Sequence, residues 1–457
     1  MPPDTPPSAQ RWGRQTQLAI DNFPISGEPM PRRVVEAIAL IKAGAATVNV
    51  AFGVLDDVRA AAIAAAAEEI VGGAMMDQFP VDVFQTGSGT STNMNVNEVV
   101  AHRAAELCGL DVHPNDHVNS SQSSNDVFPS AVRIATLQVL RGELQPALDV
   151  LHSTLVELAG AHQQTVKLGR THLMDAVPMT FAQELGGWAR GLTLASERLA
   201  AVEPRLAELP LGGTAIGTGL NAPPGFGAAI ATWLAERTGL PLVEAVDHFE
   251  AQSAQDVLVE LAGVCTTVAL TLHKIAGDVR LLGSGPTGGF GEVRLPELQA
   301  GSSIMPGKVN PVLCEVVQQV AAQVVGNHAT ITFAATASNL QINTAMPVMA
   351  KATLSSVTLL ANATAVFEAR CVRGIDADKT RMRSLAAGSP ALITAIAPII
   401  GYDRACAVVH FMAERGVTLT EALAVIRDTA PNTPQLAEVD LLELTRPGRH
   451  GQVAPPF

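Results

Sequence analysis

The chain has 457 residues, 47% hydrophobic and only 16% charged, with 43 acidic against 30 basic side chains and a net charge of −13. That much apolar content excludes a disordered chain, and the acidic balance excludes a nucleic-acid binder held by a global basic field, so an anionic ligand must be drawn in by a local site. The length exceeds one ordinary core and predicts two or three subdomains, and charge this sparse predicts surface hidden in subunit contacts.

Residues 1–10 are Pro-rich and read as disordered, and the N-terminal MPPDTPPSAQRWGRQ lacks the apolar run of a signal peptide. An Ala-rich helix follows over Val58 to Val71, then a polar stretch from Gln85 to Asn97 and a loop from His113 to Asn125. We assign residues 1–120 to a mixed helical N-terminal domain. Long helical patterns then cover Pro129–His162, Thr180–Leu209, Gln252–Leu282, Pro311–Ala335 and Pro347–Ala369. In the clearest, Val257, Leu261, Val264, Val268, Leu272, Ile275, Val279 and Leu282 recur in steps of three and four, a sustained helical stripe. A helix of about 30 residues would span roughly 45 Å, which points to a long bundle over residues 121–370. From Cys371 the patterns shorten into a small C-terminal helical domain, 371–457, with a Pro-rich tail from Thr445 to Phe457. Aromatics are only 4%, and the Ala, Val and Leu that dominate favour helix packing, so the fold class is all-α.

No run of about 18 uncharged apolar residues appears, so no membrane span is expected. The five cysteines, Cys108, Cys265, Cys314, Cys371 and Cys406, are scattered without a C-x-x-C pair. That argues against zinc or iron–sulfur ligation and fits reduced thiols in a cytoplasm.

Four polar segments interrupt the apolar chain. In Gln85-Thr-Gly-Ser-Gly-Thr90, two glycines allow a sharp turn, Ser88 and Thr90 offer hydroxyls, and the helix start beyond offers N–H groups. The turn either binds an anion or simply caps. Ser123, Ser124 and Asn125, ahead of a helix starting near Pro129, either cap it or hold a carboxylate. His172, in Gly169-Arg-Thr-His-Leu-Met-Asp175, is either structural or a proton carrier. Seven glycines between Gly283 and Gly307 describe a mobile lid that carries Ser302, Ser303, Lys308 and Asn310. Pro311 suits the first turn of the next helix, so the end of this segment forms a carboxylate trap.

Together these segments resemble the fumarase/aspartase superfamily. Gly301-Ser-Ser-Ile-Met-Pro-Gly-Lys-Val-Asn-Pro311 is similar to its signature, and the likeness runs from Trp12-Gly-Arg-Gln-Thr-Gln17 and Asn22-Phe-Pro-Ile-Ser-Gly27 to Gly401-Tyr-Asp403. His172, where aspartases usually carry Gln, and Gly307, where they usually have Ala, are similar to the class II, metal-independent fumarases, as are QTGSGT, HPNDHVN and SQSSND. The resemblance implies three mostly helical domains and a homotetramer whose central bundles form the core, with active sites shared between subunits. It also implies reversible hydration of fumarate to L-malate, a tricarboxylic acid cycle step, in the cytoplasm, with no cofactor, metal, nucleic acid or membrane.

By the same resemblance, Ser302 is the base that takes the proton next to a carboxylate, and His172, through a water, protonates the leaving hydroxyl. Glu315 pairs with His172. Lys308, Asn310, Thr90 and Asn125 stabilise the aci-carboxylate intermediate, where preorganised charge matters most. Ser88, Gly89, Ser123, Ser124, Thr171 and Ser303 contact substrate. His113, Pro114, Asn115 and Asp116 match a second dicarboxylate site, against which the acid at Asp111 argues, since some members have basic residues there. An ammonia-lyase such as aspartase, a mesaconate hydratase and a catalytically silent structural protein are the competing readings. Intact Ser302, His172, Lys308 and Asn310 argue against the last.

Overall fold

The computed structural model describes residues 10–299, 301, 304–427 and 442. The Pro-rich tail from Thr445, and all but Gln10 of the segment read as disordered, lie outside them. Among the described residues helices dominate, and the strands pair as four two-stranded sheets. The chain divides into two compact units. One comprises Met1–Ala147, Ala195–Leu270 and Gln319–Asn362, and the other comprises Leu148–Leu194, Thr271–Gln318 and Ala363–Phe457. The boundaries fall inside the long helices, so each of these contributes residues to both.

The first unit is organised on the helix Arg32–Ala51, packed against Asp57–Val71, Ser124–Val139 and Phe226–Thr238. Val34, Ile38, Ile41 and Ala45 are buried on it, and Gly44 lets Trp233 approach so closely that a Cβ would sit 2.6 Å from Cε3. This helix and Asp256–Leu282 are long and apolar enough to cross a membrane by length and composition, although Lys42 in one and Glu260 and Lys274 in the other interrupt any uncharged run of about 18 residues. Of the apolar window in Arg32–Ala51, 78% is buried inside the protein, so core packing accounts for its hydropathy. Removing a wholly buried side chain here, as in Ile63→Ala, costs about 2–5 kcal/mol.

The long helices are Phe181–Leu206, Asp256–Leu282, Val312–Ala335 and Met346–Arg370. The pattern expected over Pro129–His162 is instead Ser124–Val139, a wide turn at Leu140–Leu144, and Gln145–Ala161. Its start at Ser124 rather than near Pro129 follows from a capping box, in which the Ser123 N–H donates to Asp126 (2.9 Å) and the Ser123 hydroxyl accepts from the following turn. Pro129 then falls in the second turn, where it cannot donate to the Asn125 carbonyl. The stripe expected from Gln252 is broken at Ala254–Gln255, because the Gln255 side chain folds back onto the carbonyls of Ala251 and Gln252.

In the second unit, the hairpin Val166–Thr171 and Met174–Thr180 packs on the short helices that follow Lys379. Val166 and Leu168 share a core with Ala386, Leu392, Ile400, Val408 and Leu419.

Candidate active site

In the first unit, two helix starts carry the hydroxyl-rich segments. The helix Thr90–Cys108 begins at Gly89, whose φ of +77° belongs to the left-handed region. A Cβ there would also lie 2.2 Å from the Phe128 ring, so both conformation and space demand glycine. The Ser88 and Thr90 hydroxyl oxygens are 2.9 Å apart. The N–H groups expected to be free at this helix start are partly taken. Ser91 N donates to the Thr86 hydroxyl (2.9 Å) and Thr92 N to the Gln85 side-chain oxygen (2.8 Å). Hydroxyls, more than amides, are therefore left to meet a ligand.

The second start is the Ser123–Asp126 capping box. Asp126 is fully buried and also accepts from Gly212 N (3.1 Å) and Thr214 N (3.0 Å). Burial outweighs these bonds and pushes its carboxyl up to about 6. Asn125 donates to the Ala215 carbonyl (2.8 Å), which leaves one amide hydrogen for a ligand. Behind the loop lies Lys42, wholly buried, donating to Asn119 Oδ1 and Gln122 Oε1, each at 2.9 Å. Desolvation lowers its ammonium to about 7, opposed by the charge of Asp126. Sequence reasoning missed Lys42 and Asp126; the S-x-x-D spacing could have revealed Asp126.

His113 caps a single turn, Pro114–Val118. Its Nδ1 accepts from Asp116 N (3.1 Å), and its own N–H donates to His117 Nδ1 (2.8 Å). His113, Pro114, Asn115 and Asp116 are thus one local motif, with the Asp116 carboxylate exposed.

In the second unit, His172 stands at the tip of the hairpin. Thr171 pairs with Met174 across a two-residue turn in which His172 and Leu173 both have positive φ, 54° and 60°. Neither is the Gly, Asn or Asp such turns favour, so the backbone is strained where the imidazole is displayed. The hairpin is clamped along its first strand. Lys167 and Glu292 are buried, with Lys167 3.0 Å from Glu184, while Arg170 reaches Glu292 at 2.8 Å and lies 4.2 Å over the Phe290 ring. Burial raises the Glu184 carboxyl.

The Gly-rich segment is fastened at several points. Gly291 N donates to Ser284 O (2.8 Å), Glu292 N to Leu282 O (2.9 Å), and Val293–Arg294 pairs with Asp376–Ala377. Farther on, Asn310 Nδ2 donates to Gly301 O (2.8 Å), and a Cβ on Gly301 would lie 2.1 Å from the Lys308 carbonyl. Gly301 and the stretch from Lys308 to Asn310 thus meet through a contact that admits only glycine at 301. Lys308 is exposed, and Ser302 and Ser303 lie outside the described residues. Pro311 precedes the helix Val312–Ala335, and its carbonyl accepts from Glu315 N (3.3 Å). Glu315 faces Arg280 at 3.8 Å; among the described residues of the single chain, its ion-pair partner is Arg280 and not His172. Among the described residues no group of three or more His, Cys, Asp or Glu could hold a metal ion.

Comparison with known proteins shows the family and the fold. A profile of the lyase family matches residues 5–326. The chain is 49% identical to a class II fumarate hydratase of Corynebacterium glutamicum over 418 residues, 91% of this chain and 88% of that protein. It is 50% identical to one of Mycobacterium tuberculosis over 403 residues, 88% and 85% of the two. The crystal structure of a class II fumarase from Schistosoma mansoni is similar with a TM-score of 0.91 and 34% identity, covering 96% of both chains.

Proposed function

The chain belongs to the lyase family that holds the class II fumarate hydratases, and we propose that it adds water reversibly to fumarate, giving L-malate. The observation that carries the reading is identity near one half over nine-tenths of the chain, with the same backbone fold.

The chemistry needs a base for a weakly acidic C–H, an acid for the leaving hydroxyl, and fixed positive charge where the carboxylate becomes a dianion. In our reading Ser302 is the base. The nearby backbone and Lys308 stabilise its alkoxide, and the Asn310–Gly301 clasp keeps the segment closed. His172, presented on its strained turn, delivers a proton through water to the leaving oxygen. Lys308, Asn310, Thr90 and Asn125 hold the aci-carboxylate, while Ser88, Gly89, Ser123, Ser124, Thr171 and Ser303 position substrate. Glu315 reaches His172 only across a subunit contact, since within one chain it is turned to Arg280.

A homotetramer supports that requirement. Phe333 is 81% exposed and Leu270 54% exposed on long helices of the isolated chain, apolar surface suited to subunit contacts. We place the enzyme in the cytoplasm, with no cofactor. His113 to Asp116 remain a candidate second dicarboxylate site, weakened by Asp111 and by the hydrogen bonds that already occupy His113.

The test is the ultraviolet absorbance of fumarate on mixing purified protein with L-malate, beside mesaconate and aspartate. Growth of the fumarate band without ammonia from aspartate is expected. No band with L-malate would defeat the reading.

A further inference from the structure

Lys42 Nζ donates to Asn119 Oδ1 at 2.9 Å, and Asn119 Nδ2 donates to the Gln122 carbonyl at 3.3 Å, so Asn119 presents its oxygen to the lysine. That same Asn119 Oδ1 lies 3.2 Å from Asn93, which must therefore present its nitrogen. The second proton of the Asn93 amide goes to Ser124 Oγ at 3.0 Å. Asn93 is fully buried, and its own Oδ1 has no partner; the opposite orientation would set that oxygen against the oxygen of Asn119. No acceptor among the described residues takes the Ser124 proton.

We propose that Lys42 and Asn93 are positioning residues that fix the polarity of Ser124, forcing its hydroxyl to accept from the protein and donate to a substrate carboxylate. The direction of one proton at the ligand is thus set by a buried lysine through two amides. Asn93 stands on the first turn of the Thr90 helix and Ser124 on the first turn of the next, so the same bond also fixes the spacing of the two hydroxyl-bearing starts. The proposal rests on the hydratase reading for its substrate but concerns carboxylate binding alone.

Three variants test it, Asn93→Asp, Ser124→Ala and the double. The carboxylate introduced by Asn93→Asp would accept the Ser124 proton and turn it inward. Steady-state kinetics with L-malate, and calorimetric Kd for the unreactive dicarboxylate succinate, are the readouts. A hydrogen bond to a charged group corresponds to roughly tenfold or more in affinity, so each single variant should raise KM and Kd by about that factor, with kcat changed much less. The double variant should be no worse than Ser124→Ala. Increases that multiply in the double variant, or an Asn93→Asp protein that binds like wild type, would overturn the proposal. If Asn93→Asp fails to fold, Asn93→Ala, which removes the donor and frees the Ser124 hydroxyl to rotate, should raise Kd by less than Ser124→Ala does and add nothing to it in the double variant; additive losses would overturn the proposal. Wild-type protein that binds succinate but turns over no malate would defeat the hydratase reading while leaving this proposal open to the binding test; failure to bind any dicarboxylate would defeat both.

Discussion

The carboxylate of Glu292, wholly buried, lies 2.8 Å from the guanidinium of Arg170, two residues before His172. The pair joins the hairpin, close to its tip, to the root of the Gly-rich segment, so the proposed acid and the segment that carries the proposed base share one anchor. Arg170→Met leaves Glu292 with only Lys167, at 3.8 Å, for a cation among the described residues. Breaking a buried pair costs about 3–5 kcal/mol, so the urea midpoint should fall clearly and kcat with it. An unchanged midpoint would show that the pair anchors nothing.

Removing a general acid or base typically lowers a rate by about 10²–10⁴. His172→Asn and Ser302→Ala should each lose turnover on that scale, measured as initial rates of fumarate formation, while light scattering shows the same assembly as wild type. Near wild-type turnover in both would refute the assigned roles.

Asp126 gives the protein a specific pH signature. Its carboxyl titrates near 6 in the folded state against an ordinary 3.8, so the folded state binds the extra proton. The stabilisation from that proton is fully present below about 3.8 and is lost as pH rises through about 6. Between those values, the slope of stability against pH should be less positive, or more negative, in wild type than in Asp126→Asn. Thermal melts across that range compare the two, and parallel curves would contradict the assignment.

Activity is expected to survive dialysis against EDTA, because no cluster of metal-ligating side chains exists among the described residues. The assay is malate turnover before and after chelation; loss restored by a divalent cation would point to a site outside them.

The long helices were legible because apolar residues recur every three or four positions whatever their tertiary partners. The Gly301 signature was legible because close backbone contacts demand particular residues, whereas Ser123 was read as a cap or a carboxylate holder for a helix placed to start near Pro129, and its partner Asp126 was missed. The hairpin under His172 was not legible. Its turn is His-Leu, with none of the residues that normally announce a left-handed pair, and its strands take their burial from helices more than 200 residues later. Lys42 was invisible for a related reason. A lysine inside an apolar helix reads as a charge reaching for solvent, and only partners near residue 120 reveal that it stays inside.

Phe128 belongs, by burial, to the core, yet its ring fills the space a side chain at residue 89 would need. Core and binding surface are here two sides of a single atomic layer. A smaller residue at 128 would leave a hollow beneath the turn that carries Ser88 and Thr90, and the turn could sink into it. Ligand affinity is therefore partly written in residues that no ligand ever touches.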